Sequence, residues 1–286
     1  MNMKIKALLV MSLVSMAVLL TICHATAAQV DNSEKYPWEK FSANFGVFLS
    51  AMDTSFRIGS GSGLDIDLEE TLDLDTSTVV FRTDALWRFT KNRHHRLDFT
   101  WFSLNRDGSR QIDENITFEN KNGDTITIEA GTKVKSNFDL DVYELAYRYS
   151  FIQDDRLDLA AGIGLYFMPI NYSMQASGTV EKNGSENFNA PLPALGLRMD
   201  VAITPKWFVR TGAQAFYIEY DKFKGSLLEF RAAVEYNPWQ HVGIGLGFDS
   251  LAIQLEADGE DWPEADFKGN VDFKYMGLQL YLRLFF

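Results

Sequence analysis

The chain has 286 residues, a formal net charge of −12 and a single cysteine. An acid excess of that size makes a poor nucleic-acid binder, and one cysteine excludes an internal disulfide or a multi-cysteine metal site. The length would suit one or two soluble domains, but the order of segments points elsewhere.

Residues 1–28 read as a secretory signal peptide. Lys4 and Lys6 precede an apolar run, Ala7–Ile22, broken only by serines and a threonine, and "HATAAQ" then supplies small residues at Ala25, Ala27 and Ala28. That order of charged, apolar and small segments predicts cleavage after Ala27 or Ala28. The run is short for a membrane anchor. Cleavage removes Lys4, Lys6 and Cys23, leaving a more acidic chain without cysteine. No later apolar run is long enough for a membrane helix. Residues 29–40 form a short N-terminal segment, and 41–286 the folded unit.

From residue 41 the chain alternates between apolar and polar. In Val79–Phe89, Val79, Phe81, Thr83, Ala85, Trp87 and Phe89 point one way, and Val80, Arg82, Asp84, Leu86 and Arg88 the other. Period two is the strand signal. It recurs to give ten predicted strands, at about 41–58, 77–90, 95–108, 137–152, 157–174, 190–204, 207–221, 225–238, 241–256 and 267–286. Short turns at 91–94, 153–156, 205–206 and 239–240 alternate with mostly longer connections. That is the plan of an all-β, transmembrane antiparallel up-and-down β-barrel of about ten strands. Eight or twelve follow if a loop hairpin counts differently. An even number places both termini at the short-turn, periplasmic end.

A soluble sandwich or lipocalin-like barrel would alternate in the same way. The flanking residues favour the membrane reading. Trp87, Phe89, Tyr149, Phe151, Trp207, Tyr236 and Trp239 cluster beside the short turns, as an interfacial girdle would. The last strand carries Leu278, Leu280, Leu282 and Leu284 on one side and ends in two phenylalanines.

If the apolar row faces lipid, the other row faces the lumen. It holds Arg82, Arg88, Arg148, Arg198, Arg210, Arg231 and Arg283, against Asp84, Asp98, Glu144, Asp158, Asp200, Glu229, Glu235 and Asp249. There are no lysines, and arginine is the better partner for buried bidentate pairs. Most of these residues lie two to six positions from a short turn, so they should form a layer in the periplasmic half. Two readings fit: a salt-bridge plug, or a narrow, porin-like small-solute channel with charged walls. Ten strands lie near the size that side chains fill, which favours the plug.

"YMGLQLYL" with its closing "FF" resembles the C-terminal β-signal of Gram-negative outer-membrane proteins, matched at Tyr275, Gly277, Leu280, Leu282 and Phe286. The resemblance implies recognition by the barrel assembly machinery. "GLDIDLEETLDLD", "FRTDALWRFTKNRHHRLDFTWFSLNRDGSR" and "YELAYRYSF" resemble a family of uncharacterised Gram-negative outer-membrane β-barrel proteins. That resemblance implies location and architecture, with no activity attached.

The loops offer little chemistry. Asp65, Asp67, Glu69, Glu70, Asp73 and Asp75 crowd the first long loop, and Asp258, Glu260, Asp261, Glu264 and Asp266 the last. Neither has EF-hand spacing, so no metal is expected. Leu64–Glu69 alternates like a strand extension, and "NKNGD" suggests a projecting hairpin in 109–136. Of the four histidines, His24 leaves with the signal peptide, while His94, His95 and His241 adjoin short turns. A histidine general base at the loop end is therefore not available. His94 and His95, beside Arg93 and Arg96, are expected to meet anionic lipid headgroups. The sequence reads as a monomeric, non-enzymatic outer-membrane barrel with a structural or surface-interaction role. It needs no cofactor, and its partners are outer-membrane lipids and lipopolysaccharide.

Overall fold

The computed structural model describes residues 37–58, 66–67, 73–113, 115–119, 125–177, 182–188, 191–220, 223–258 and 268–286. The expected signal peptide and most of the acidic loop residues lie outside the described residues. In chain order the strands are β1 (Phe41–Ile58), β2 (Ile66–Asp67), β3 (Ser77–Arg88), β4 (His95–Gln111), β5 (Ile116–Glu119), β6 (Thr125–Ile128), β7 (Lys133–Gln153), β8 (Leu157–Phe167), β9 (Ile170–Ser177), β10 (Lys182–Phe188), β11 (Pro191–Ala202), β12 (Trp207–Tyr220), β13 (Phe223–Tyr236), β14 (Val242–Asp258) and β15 (Lys268–Phe285).

Ten of these form a closed antiparallel barrel. Each neighbour in the run β7-β4-β3-β1-β15-β14-β13-β12-β11-β8 is hydrogen-bonded to the next, and β7 pairs with β8 to complete the ring. The first and last strands pair from Ser42↔Phe285 to Ile58↔Gly269. A closed ring is the only sheet without a free edge, the condition for strands in a medium that cannot hydrogen-bond the backbone.

The strand predicted at 157–174 is broken at Met168–Pro169. Below the break β8 pairs with β7 and β11; beyond it β9 pairs with β7 and β10. Proline has no N–H to give a ladder, and the wall changes partner there. Strand β10 occupies part of the stretch read as a loop. The hairpin expected around "NKNGD" is present as β5 and β6, with Ile116 opposite Ile128. The expected extension near Leu64–Glu69 is β2, paired with β1 at Ser55↔Asp67. A bulge between Ser150 and Ile152 turns both Phe151 and Ile152 outward, beside a short turn where bulges are common.

The alternation reverses partway up the barrel. On β7, Tyr143, Leu145, Tyr147 and Tyr149 point out while Glu144 and Arg148 point in; above them Lys133, Lys135, Asn137 and Asp139 point out while Val134, Phe138, Leu140 and Val142 are buried. On β15 the outward Met276, Leu278, Leu280 and Leu282 give way to Lys274, and the inward residues become Tyr275, Phe273 and Val271. The same exchange occurs at Trp101–Ser103 on β4 and Phe248–Ser250 on β14. These levels coincide across the ladder, since Tyr143 pairs with Trp101 and Met276 with Ser250. Below the line the barrel is apolar outside and ionic inside. Above it the surface is polar and the interior apolar, as in a water-soluble barrel. The outward apolar run from Met276 to Leu284 spans roughly 27 Å along the strand at ~3.4 Å per residue. A tilt of ~40° reduces that to about 21 Å of height, close to the apolar band of a membrane barrel.

Glycines on the inner face make room for large neighbours. Gly245 lies opposite Tyr281 in the β14–β15 ladder, and a Cβ at Gly245 would fall within the Tyr281 ring. The Tyr281 hydroxyl donates to Glu235 at 2.8 Å. Gly245→Ala should push the ring aside, break that bond and cost about 1–3 kcal/mol, read as a lowered urea midpoint of the refolded protein. Gly247→Ala is the control. Its new methyl would meet neighbours at 3.5–3.7 Å, ordinary contact, and should change stability by less than about 0.5 kcal/mol.

Candidate functional site: the ionic lumen

At the short-turn mouth the chain entering β1 turns into the barrel. Trp38 is fully buried. Its indole N–H donates to the Asp154 carbonyl at 2.6 Å, and its ring meets Phe208 edge-on at 6.4 Å. Arg93 donates to its carbonyl, and the Arg88 guanidinium lies 5.9 Å from its ring centroid. Glu39 follows. Its carboxylate takes Arg283 at 2.5 Å, Arg210 at 3.2 Å and Arg88 at 3.4 Å. Burial alone would raise this carboxyl, which precedes the first spanning strand, but Arg210, Arg283 and Arg88 hold it well below its ordinary value of 4.5. It is therefore an anion at neutral pH.

Above Glu39 lies a tier built on Asp200, which meets Arg198 at 2.9 Å, Arg210 at 3.0 Å, Arg96 at 3.2 Å and Arg88 at 3.7 Å. Glu235 binds Arg210 at 2.6 Å and Arg283 at 2.9 Å, and Asp158 binds Arg88 at 2.8 Å. Asp98 joins Arg96 at 2.7 Å to Arg148. The next tier centres on Arg231, which reaches Glu144 at 2.7 Å and Asp249 at 3.1 Å and also pairs with Glu229. Arg82 binds Asp249 at 2.5 Å and Asp84 at 3.1 Å. Gln214 bridges Glu144, Tyr166 and Glu229 at 2.7, 2.6 and 2.9 Å.

Arg82 ends the ionic zone. Its guanidinium lies 5.2 Å from the Phe102 ring centroid and 5.6 Å from that of Phe48. Phe48, Phe102 and Tyr275 pack edge-to-face at 5.5–5.8 Å and open the apolar tier that continues through Phe138, Phe273 and Leu140. From the short-turn mouth upward the lumen holds Trp38 and Glu39, then two ionic tiers, then an apolar core. A cavity of about 90 Å³, lined by apolar residues as well as by Asn44, Asp84, Arg198 and Arg231, lies among the ionic tiers, room for a few ordered waters.

All fifteen charged residues expected in the lumen face inward and take part in this network. Arg96 corrects the sequence reading. Its place beside the rim histidines suggests a basic rim, but it is fully buried between Asp98 and Asp200. It shares parity with Asp98 on β4, a signal that was available. Glu39 and Trp38 precede the period-two pattern and left no such signal. The five terminal positions divide by parity. Leu280 and Leu282 face outward and Phe286 is exposed; Tyr275 is buried, and Gly277 lies against the Phe48 ring. The three histidines stay at the short-turn end. His94 contacts the Ser150 carbonyl at 2.5 Å, His95 the Tyr147 hydroxyl at 2.7 Å and His241 the Phe285 carbonyl at 2.9 Å. Among the described residues no group of three or more His, Cys, Asp or Glu is arranged to hold a metal ion.

The architecture is similar to that of the outer membrane protease OmpT from Escherichia coli, with 10% identity over 90% of this chain and 99% of that one and a TM-score of 0.50. The toluene transporter TodX of Pseudomonas putida aligns at 8% identity over 86% of this chain and 90% of its own, with a TM-score of 0.38. The outer membrane protein OprG of Pseudomonas aeruginosa aligns at 9% over 88% and 100%, with a TM-score of 0.37. No family profile matches the sequence, and no curated protein does. At 10% identity the likeness to the protease is one of fold alone, that of an outer-membrane β-barrel.

Proposed function

We propose that this chain is a non-conducting, non-enzymatic barrel of the bacterial outer membrane that carries a rigid, acidic, apolar-cored platform above the outer leaflet. The observation that carries this reading is the filled lumen beneath a projecting soluble-type tier. Strand β7 runs nine residues, Asp141–Lys133, beyond the level at which its outward face turns polar, roughly 30 Å of strand. Such an extension, packed inside and charged outside, suits the holding of surface loops in fixed positions. The short turns and both ends of the folded unit then face the periplasm. Membrane lipid and lipopolysaccharide surround the apolar belt, and the barrel acts as a monomer delivered by the assembly machinery.

The non-enzymatic reading rests on two features. The described histidines are at the opposite end from the loops, and each lumen carboxylate is engaged by arginine, so none is free as a general base. Conductance tests the sealed lumen. The refolded protein in planar bilayers should add no steps above the bare-membrane current across physiological potentials. Steady nanosiemens-scale steps would establish the porin-like alternative instead.

A further inference from the structure

We infer that Trp38–Glu39 is a tethered ligand seated in a peptide-carboxylate socket at the short-turn mouth, formed by Arg88, Arg210 and Arg283. The inference deepens the sealed-lumen reading and rests on it. Within the two ionic tiers the strands by themselves carry a balanced set, Arg106 being buried higher, 4.7 Å from the Phe138 ring centroid. Arg82, Arg88, Arg96, Arg148, Arg198, Arg210, Arg231 and Arg283 face Asp84, Asp98, Glu144, Asp158, Asp200, Glu229, Glu235 and Asp249. Glu39 is an additional acid, and it is placed where the strands are locally short of acids. At the mouth, Arg88, Arg210 and Arg283 meet Asp158, Asp200 and Glu235 from the wall, and Asp200 is shared with Arg96 and Arg198. Three guanidiniums converge on one carboxylate that no wall strand supplies.

The residue before it is fitted as closely. Trp38 has a ring partner in Phe208, a cation over its face, an acceptor for its N–H and a donor for its carbonyl. Both side chains and both carbonyls of the Trp-Glu dipeptide therefore have counterparts, which is how a binding site is built rather than a linker. Lys40 is pinned to the wall on both sides, its N–H to Phe286 at 2.7 Å and its carbonyl to Arg88 at 2.7 Å. The dipeptide can leave by rotation at Glu39–Lys40 without unzipping a strand. Tethering supplies a high effective concentration, so the socket stays filled in cis, and a free peptide binds only once the tethered one is disabled or outcompeted.

The test uses the full-length chain and an acetylated, amidated Tyr-Pro-Trp-Glu-Lys peptide carrying 5-fluorotryptophan, followed by fluorine NMR. The refolded double variant Trp38→Ala/Glu39→Ala should shift or broaden the peptide signal. The Glu-to-Gln peptide should bind at least tenfold more weakly, and the unaltered barrel should leave the signal unchanged at the same concentration. A folded double variant that ignores the peptide, or that takes both peptides equally, overturns the socket. A second measurement needs no double variant. Hydrogen exchange of the Trp38 indole N–H, held by the Asp154 carbonyl, should speed up severalfold in the unaltered barrel with millimolar peptide and in Glu39→Gln without it; constant exchange in both cases overturns the inference. Conductance on the same samples separates the two readings. A conducting barrel that binds the peptide removes the seal and keeps the socket, while a silent barrel that ignores the peptide removes the socket alone.

Discussion

Replacing Asp200 with alanine is expected to destabilise the refolded barrel by about 3–5 kcal/mol, a large fraction of the stability of an ordinary domain. Asp200 is fully buried and touches four arginines, Arg198, Arg210, Arg96 and Arg88. Its removal leaves buried guanidiniums with fewer counter-charges, and an unpaired buried charge costs more than the pair ever contributed. The control is Asp113→Ala. That carboxylate is 80% exposed and its partner Arg110 39% exposed, so its loss should change little, within about 0.5 kcal/mol. Urea midpoints in lipid vesicles measure both. Equal effects would mean that the lumen is wet enough to screen its charges.

The second large effect concerns the outside. Leu280 is 59% exposed and sits mid-belt, paired with Val47 on one side and Leu246 on the other. Leu280→Arg should cost about 2–4 kcal/mol, the penalty for a cation near the bilayer midplane on a barrel's lipid face. Asn105→Arg also adds a cation to the outer wall, but above the level where the alternation reverses, with Asp139 opposite it in the ladder. It should cost less than about 0.5 kcal/mol. The contrast between two outward arginines marks the height of the membrane. If both substitutions were harmless, the leucine row would not be in lipid at all.

Much of this was legible because a strand has a period of two and a barrel has only two faces. Once Leu278, Leu280 and Leu282 are outward, the parity of Arg283 and Gln279 is fixed, and the same logic assigns Arg82, Asp84, Arg88 and Asp98. The short turns gave the strand count. The reversal of the pattern was also written in the chain, at Val142–Tyr143 and Tyr275–Met276. A reading that asks only whether residues alternate does not register that apolar and polar rows have exchanged sides. For that reason the reading places the charged layer in the periplasmic half of the lumen and says nothing of the apolar tier around Phe48, Phe102 and Phe138 above it. Contacts between residues far apart in sequence left no trace. Nothing local to Glu39 indicates Arg283, which is 244 positions away, and Trp38 finds Asp154 only after the ring has closed.

The ladder joining β1 to β15 makes the wall circular. The Phe286 carbonyl accepts from both Lys40 and Phe41, at 2.7 and 3.0 Å, so the two ends of the wall already touch. Geometrically, no strand is first. The same cylinder could be traced from any hairpin if its present ends were spliced and a loop cut elsewhere, a rearrangement that folded domains with adjacent termini tolerate. A permuted version would keep every ladder of the wall and change only which strands flank the cut.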